Sequence, residues 1–174
     1  MNEFLEILKY VLPSLVVFAA AFFVIRAFLD QELKELREGQ KDDIRKTALP
    51  LRFQAYERIV LFLERIGPTN LIIRVNRPGL NKEQLQAELL RSVREEYEHN
   101  LSQQLYMSDT AWEMVKSAKE EVLSDINTAA GQMTENNTAA DYGQQVISLH
   151  LERKSRAHDK AISFLKEEIR QLFR

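Results

Sequence analysis

Glu96 and His99 have the spacing of a metal-binding pair, because they form an E-x-x-H step in a glutamate-rich stretch. Residues three apart on an α-helix share a face, so this carboxylate and imidazole could hold one ion together. Dimetal sites in helical bundles need two such steps and two further glutamates. Neither His150 nor His158 has a carboxylate three residues before it. We therefore predict no metal and no cofactor, and Glu96 and His99 are the candidates should a metal bind.

Other catalytic chemistry has few residues to use. The chain contains no cysteine for thiolate chemistry, and it lacks both a glycine-rich phosphate loop and a G-x-S-x-G elbow. We predict no catalytic residue and a protein that is not an enzyme. The alternative is a membrane-associated enzyme or metal-binding helical protein that uses the Glu96/His99 face.

The same stretch could instead form a protein-binding surface. Tyr97, Leu101 and Leu105 make an apolar stripe at helical spacing, and polar side chains border it on both sides. A solvated helix face is the simpler interpretation, and a partner-binding patch is the more specific one. The residues predicted for such an interface are Glu96, His99, Asn100 and Gln103.

A long apolar run near the N-terminus determines how the rest of the chain is organised. Residues 10–25 (YVLPSLVVFAAAFFVI) carry no charge. Extending the run to residues 7–29 gives about 34 Å of helix, enough for the roughly 30 Å hydrocarbon layer of a bilayer. We predict that residues 1–29 are an N-terminal segment with a transmembrane anchor. Tyr10 would lie in the interfacial aromatic belt, Pro13 in the first helical turn, and Arg26 would extend to the headgroups.

Two alternatives to a spanning anchor are a cleaved signal peptide and a buried core helix. A signal peptide would need a basic start, but Glu3 and Glu6 oppose a single lysine there. Basic residues on either side of the span decide its orientation. Lys9 is the only one before it, whereas after it come Arg26, Lys34, Arg37, Lys41, Arg45 and Lys46. We therefore expect the N-terminus outside and the C-terminal domain in the cytoplasm.

Residues 30–50 are predicted to be a charged juxtamembrane helical stalk. Leu29, Leu33 and Leu36 could form either a short coiled-coil seam or a packing stripe. We expect Pro50 to break this helix near Leu49.

Residues 51–174 are predicted to form an all-α, antiparallel bundle of about four helices. The expected helices cover residues 51–66, 81–106, 108–130 and 139–173, and the last of them could be interrupted near Gly143. Asn81 and Gln84 have the spacing of a capping box. Residues 71–75 could be a strand or a helix, and helix is favoured because a lone strand would have no partner.

Charge is unevenly distributed along this body. Residues 51–80 have a net charge of +3, residues 81–130 of −5 and residues 153–174 of +4. The basic segments could pack on the acidic middle of the chain or contact anionic lipid headgroups. Nucleic-acid binding is not expected, because the whole chain has a net charge of −2 and no reader motif.

Residues 95–106 (EEYEHNLSQQLY) and 111–121 (AWEMVKSAKEE) resemble a bacterial family of single-pass membrane proteins with a helical cytoplasmic domain. The resemblance implies a bacterial inner membrane, and it brings no activity, cofactor or site. We predict a membrane-anchored helical scaffold or accessory subunit that acts through protein contacts. Its expected partners are the lipid bilayer and either another protein or a second copy of itself. A peripheral body that contacts the lipid surface is a further alternative.

Overall fold

The computed structural model describes the backbone of residues 2–154 and 156–171, and the side chains of residues 13–35, 46–154 and 156–171. Across these residues the chain forms helices and no strand, so the predicted all-α class is confirmed. Contacts within the chain divide it into two units, Met1–Leu49 and Pro50–Arg174. The finer division of the first unit into an anchor and a stalk stays a prediction.

The first helix, α1 (Asn2–Ile66), begins in the first unit and ends in the second. Its segment Pro13–Glu35 is 23 residues long, has a mean hydropathy of 1.8 and is not buried against protein. Among the described residues, this segment is the one candidate that is long and apolar enough to cross a membrane. It overlaps the predicted span over residues 13–29. Residues 7–12, with Tyr10, lie outside the described side chains.

Two predictions about prolines were wrong. Pro13 lies in the interior of α1 and not in its first turn, because the helix already begins at Asn2. Pro50 does not break the helix, which continues to Ile66. A proline inside a helix costs about 3 kcal/mol. Burial of apolar residues in the following turns, with Ile59 among them, offsets that cost.

Within its described residues, the second unit continues with five α-helices and one 3-10 helix. They are α2 (Pro68–Val75), α3 (Lys82–Asn100), the 3-10 helix (Leu101–Tyr106), α4 (Asp109–Gln132), α5 (Ala139–Glu152) and α6 (Ala157–Gln171). Residues 71–75, which could have been a strand, are therefore helical.

Side-chain caps fix where three of these helices begin. The predicted capping box of α3 is confirmed, since Asn81 accepts a hydrogen bond from the backbone of Gln84 and the Gln84 side chain accepts one from Asn81. Ser108 caps α4. Thr138 and Asp141 form a second capping box at the start of α5. Each cap satisfies backbone N–H groups that have no partner inside the helix.

The C-terminal helix differs from the prediction of one helix over residues 139–173. The chain leaves the helical conformation after Glu152 and re-enters it at Ala157. The carboxylate of Glu121 in α4 accepts a hydrogen bond of 2.9 Å from the Ala157 N–H. This tertiary cap starts α6, and the break falls well after Gly143, where an interruption was expected.

The core of the second unit collects the inward faces of its helices. Its largest fully buried side chains are Tyr142, Phe62, Ile59, Leu63, Ile66, Leu71, Leu85, Leu89, Ile126, Leu165, Val93 and Val115. Leu101 and Leu105 continue the apolar stripe of α3 in the sequence, and both are exposed in the structure. The tighter winding of a 3-10 helix, about three residues per turn, changes the direction in which their side chains point.

Candidate functional site

Glu96 lies in an open surface pocket formed by α1, α2 and α3. The pocket has a volume of about 400 Å³, and its walls come from Arg65, Arg74, Ser92, Glu95, Glu96 and His99. One carboxylate oxygen of Glu96, Oε1, accepts hydrogen bonds from Arg65 Nε at 2.8 Å and from Arg74 Nη1 at 3.2 Å. The carboxylate is thus bound to two guanidinium groups from other helices.

The Glu96/His99 step shares one face as predicted, because both side chains line this pocket. A metal ion there would have to displace both arginines from the carboxylate. In the part of the chain that the structure describes, no group of three or more histidine, aspartate and glutamate side chains could hold a metal ion. The arrangement is therefore an ion-pair junction that ties α1 and α2 to α3.

The other two predicted interface residues lie in different surroundings. Asn100 is buried, and its Nδ2 donates a hydrogen bond of 2.8 Å to the Glu96 carbonyl at the end of α3. Gln103 is half-buried in the 3-10 helix and donates to the hydroxyl of Ser102 at 3.2 Å. The structure therefore places Glu96 and His99 at one pocket, Asn100 in the interior and Gln103 further along the chain.

The 3-10 helix exposes apolar side chains beside these residues. Leu105 is 78% exposed, and Leu101 and Tyr106 are also at the surface. We call these three residues the 3-10 patch. Arg52 of α1 donates from Nε to the Tyr106 carbonyl at 3.1 Å, which holds the end of the 3-10 helix against α1. The patch is thus an exposed apolar surface on a fixed backbone.

A second apolar surface is the groove between α1 and α6. Its volume is about 390 Å³, and its lining residues are Phe53, Tyr56, Glu57, Val60, Leu61, Leu165, Lys166 and Ile169. Tyr56 is only 2% exposed. Its hydroxyl makes no hydrogen bond within the described residues. Burial, and then the nearby carboxylate of Glu168, raise the pKa of Tyr56, so the phenol stays protonated.

A buried polar cluster joins α4, α5 and the linker that follows α5. The carboxylate of Asp125 binds His150 Nδ1 at 2.9 Å and Arg153 Nε at 2.8 Å. Burial raises the pKa of Asp125, but the hydrogen bonds from His150 and Arg153 outweigh it and hold that pKa below its ordinary value. An ionised carboxylate can only accept hydrogen bonds, so His150 donates from Nδ1.

The cluster continues to α1 through the third histidine. The imidazole of His158 lies edge to face with that of His150, with 5.8 Å between the ring centroids. Its Nε2 donates to the Leu63 carbonyl at 2.6 Å. An aspartate–histidine pair also orients the general base of hydrolytic triads. Among the described residues, however, no serine or threonine hydroxyl bonds to either ring, and both rings are buried. The cluster therefore works as a polar clamp inside the bundle.

This cluster was not predicted from the sequence, although one signal was present. Asp125 occupies an inward position of α4, three residues after Val122 and next to Ile126. A charged residue on an apolar face requires partners, and His150 also lies on the inward face of its helix. That signal indicates a buried ion pair, but it does not identify the partners.

Residues 2–172 of the chain match a family of unknown function, DUF7935, and the chain belongs to that family. No curated protein and no solved structure matches it.

Proposed function

We propose that this protein is a membrane-anchored helical scaffold or accessory subunit that acts through protein contacts. The observation that supports the proposal is the 3-10 patch, which exposes Leu101, Leu105 and Tyr106. Covering an exposed leucine side chain stabilises a complex by about 1.5–3 kcal/mol. Since Arg52 holds the end of the 3-10 helix and Asn100, directly before its start, is buried, a partner would meet a surface that is already ordered.

The polar residues around the patch favour a protein partner. Gln103 lies within the 3-10 helix, and Glu96 and His99 line the pocket just before it. An apolar centre with a polar rim is the usual composition of a protein–protein interface. In this proposal the interface predicted for Glu96, His99, Asn100 and Gln103 is centred on Leu105. Asn100 lies behind it in the interior and does not contact the partner.

The membrane location in this proposal is the inner membrane of a bacterium, with the N-terminus outside and the second unit in the cytoplasm. It is supported by the apolar segment Pro13–Glu35 and by the excess of lysine and arginine after the span. The bilayer is then the first partner of the chain.

In-cell photocrosslinking tests the protein contact. A photoreactive phenylalanine analogue replaces Leu105 in the full-length chain, and a matched chain carries it at Leu151, a leucine of α5 that is also exposed, at 61%. We expect adducts of defined mass from position 105 and none from position 151. Equal labelling at both positions, or only uncrosslinked chain at both, would contradict the proposal.

A charge substitution gives a second readout of the same contact. Leu105→Glu should abolish the adduct formed by the photoreactive group at position 101 and leave the helical circular dichroism unchanged, because the side chain is exposed. Leu151→Glu, as the control, should leave the adduct in place. Loss of the adduct in both variants would show that general charge, and not the patch, controls the contact.

A further inference from the structure

The groove between α1 and α6 has one charged lining residue on each wall among the described residues, and the two have opposite signs. Its α1 wall contributes Phe53, Glu57, Val60 and Leu61, and its α6 wall contributes Leu165, Lys166 and Ile169. The two helices run antiparallel, since His158 near the start of α6 bonds to Leu63 while Ile169 near its end meets the groove with Phe53. Among the described lining residues, the acidic one is Glu57 on α1 and the basic one is Lys166 on α6.

The apolar floor of the groove is partly exposed. Leu61 is 54% exposed and Phe53 is 47% exposed. Exposed apolar surface of this kind, rimmed by charges, is typical of a protein contact. A partner must offer an apolar strip with a basic group facing Glu57 and an acidic group facing Lys166.

The groove itself offers that combination, so we propose that a second copy of this chain covers it in a two-fold symmetric pair. In this pair α1 of each subunit lies on α6 of the other, and Glu57 meets Lys166 of the partner subunit twice, once on each side of the axis. A two-fold contact uses the same patch on both subunits. The inference rests on the proposed function only in that the protein acts through protein contacts, and it uses a surface other than the 3-10 patch.

Charge also selects the direction of the two-fold axis. An axis parallel to the helices exchanges the α1 and α6 walls and pairs opposite charges. It also leaves both copies of α1 running in the same direction, so that both α1 helices reach the groove from the same end. An axis across the helices would instead set Glu57 against Glu57 of the partner subunit, and like charges at an interface are unfavourable. The parallel arrangement is the one that the groove favours.

Cysteine crosslinking of full-length chains in native membranes tests this arrangement. The chain has no cysteine of its own, so each introduced thiol reports one position. Chains carrying Glu57→Cys and chains carrying Lys166→Cys, with different tags, are co-expressed and treated with a short bismaleimide. Ser124→Cys, on an exposed position of α4, is the control for random collision.

We expect the mixed Glu57→Cys/Lys166→Cys product to exceed either like-with-like product several-fold. A dominant Glu57→Cys homodimer would overturn the proposed axis. Crosslinking no greater than that of Ser124→Cys in every combination would overturn the pair altogether. Both positions are exposed, and circular dichroism of each purified variant confirms that it is folded.

A charge exchange tests the pairing without a crosslinker. Glu57→Lys and Lys166→Glu should each lower the dimer fraction of detergent-solubilised chain several-fold by light scattering, and the double exchange should restore it. If both single variants lose the dimer and the double variant does not regain it, the paired contact is wrong. A wild-type chain that is monomeric by light scattering but still forms adducts at position 105 would overturn the pair while keeping the proposed function. A wild-type dimer that forms no adducts at position 105 would do the reverse.

Discussion

Asp125 is a single carboxylate that holds three parts of the second unit together. It is 1% exposed, and it receives hydrogen bonds from α5 and from the linker before α6. The pair with Arg153 is open to solvent on the arginine side, whereas His150 is buried. A buried carboxylate without such donors would be neutral or would destabilise the fold. Asp125 is therefore ionised because the fold brings these donors to it.

Replacing Asp125 by alanine should destabilise the second unit by about 3 kcal/mol, because it leaves buried donors without an acceptor. This destabilisation is at the low end of the range for breaking a buried ion pair, because water can reach Arg153. Urea unfolding of the detergent-solubilised full chain, followed by circular dichroism, measures the change. Glu120→Ala, on the exposed side of the same helix, is the control and should unfold as the wild type does. Equal midpoints for the two variants would mean that the clamp contributes nothing.

Asp125 should also make stability depend on pH. Its pKa in the folded chain lies below the ordinary value of 3.8, so the unfolded chain takes up the proton first as the pH falls. The resulting stabilisation is complete above the unfolded pKa and is lost as the pH falls through the folded pKa. We expect the melting temperature of the wild type to fall more steeply below about pH 4 than that of Asp125→Asn. Parallel curves for the two proteins would contradict this assignment.

Among the helices, α5 depends on a residue without a side chain where it packs on α2. A Cβ atom at Gly143 would lie 3.2 Å from Ile72 Cγ2 and 4.0 Å from Leu85 Cδ2. Gly143→Leu should therefore destabilise the unit by about 1–3 kcal/mol through overpacking. Gly131 in α4 has open space where an added Cβ would lie. Gly131→Ala should therefore be neutral or stabilising, because alanine favours the helix. Urea midpoints compare the two, and a Gly143→Leu chain as stable as the wild type would show that α2 can move away.

The helix starts could be predicted from sequence because their causes are local. Asn81 and Gln84 are three residues apart, and their capping box needs no other part of the chain. The break before α6 could not be predicted, because its cap comes from Glu121 in another helix. The continuation of α1 past Pro50 depends in the same way on the packing of the residues that follow it. Local spacing therefore predicted the elements. Contacts between residues distant in sequence decided where α6 begins and that α1 continues past Pro50.

The candidate site was predictable to a similar extent. The shared face of Glu96 and His99 follows from helical spacing, and both do line one pocket. Arg65 and Arg74 come from elements 31 and 22 residues away in sequence, and no spacing rule connects them to Glu96. The 3-10 winding of Leu101–Tyr106 was missed, because a change from α to 3-10 winding leaves the apolar pattern intact and alters only where the side chains point.

Part of the uneven charge is used within the second unit. Arg65 and Arg74 from the first basic segment bind Glu96 in the acidic middle, and Arg153 from the last basic segment binds Asp125. These contacts account for three of the basic residues that might otherwise have faced lipid. They support packing of the basic segments on the acidic middle as one reason for the charge pattern. The bilayer contact proposed for the chain then rests on its apolar helix.

The orientation of that helix is the remaining prediction at the scale of the molecule. Because basic residues follow the span and few precede it, the second unit should be retained in the cytoplasm. The absence of native cysteine allows a membrane-impermeant maleimide to report this in cells. Ser124→Cys should react only after the inner membrane is permeabilised, whereas Glu3→Cys should react in intact cells whose outer membrane admits the reagent. The opposite pattern would reverse the orientation, and reaction of both thiols in a soluble fraction would show that the apolar segment does not anchor the chain.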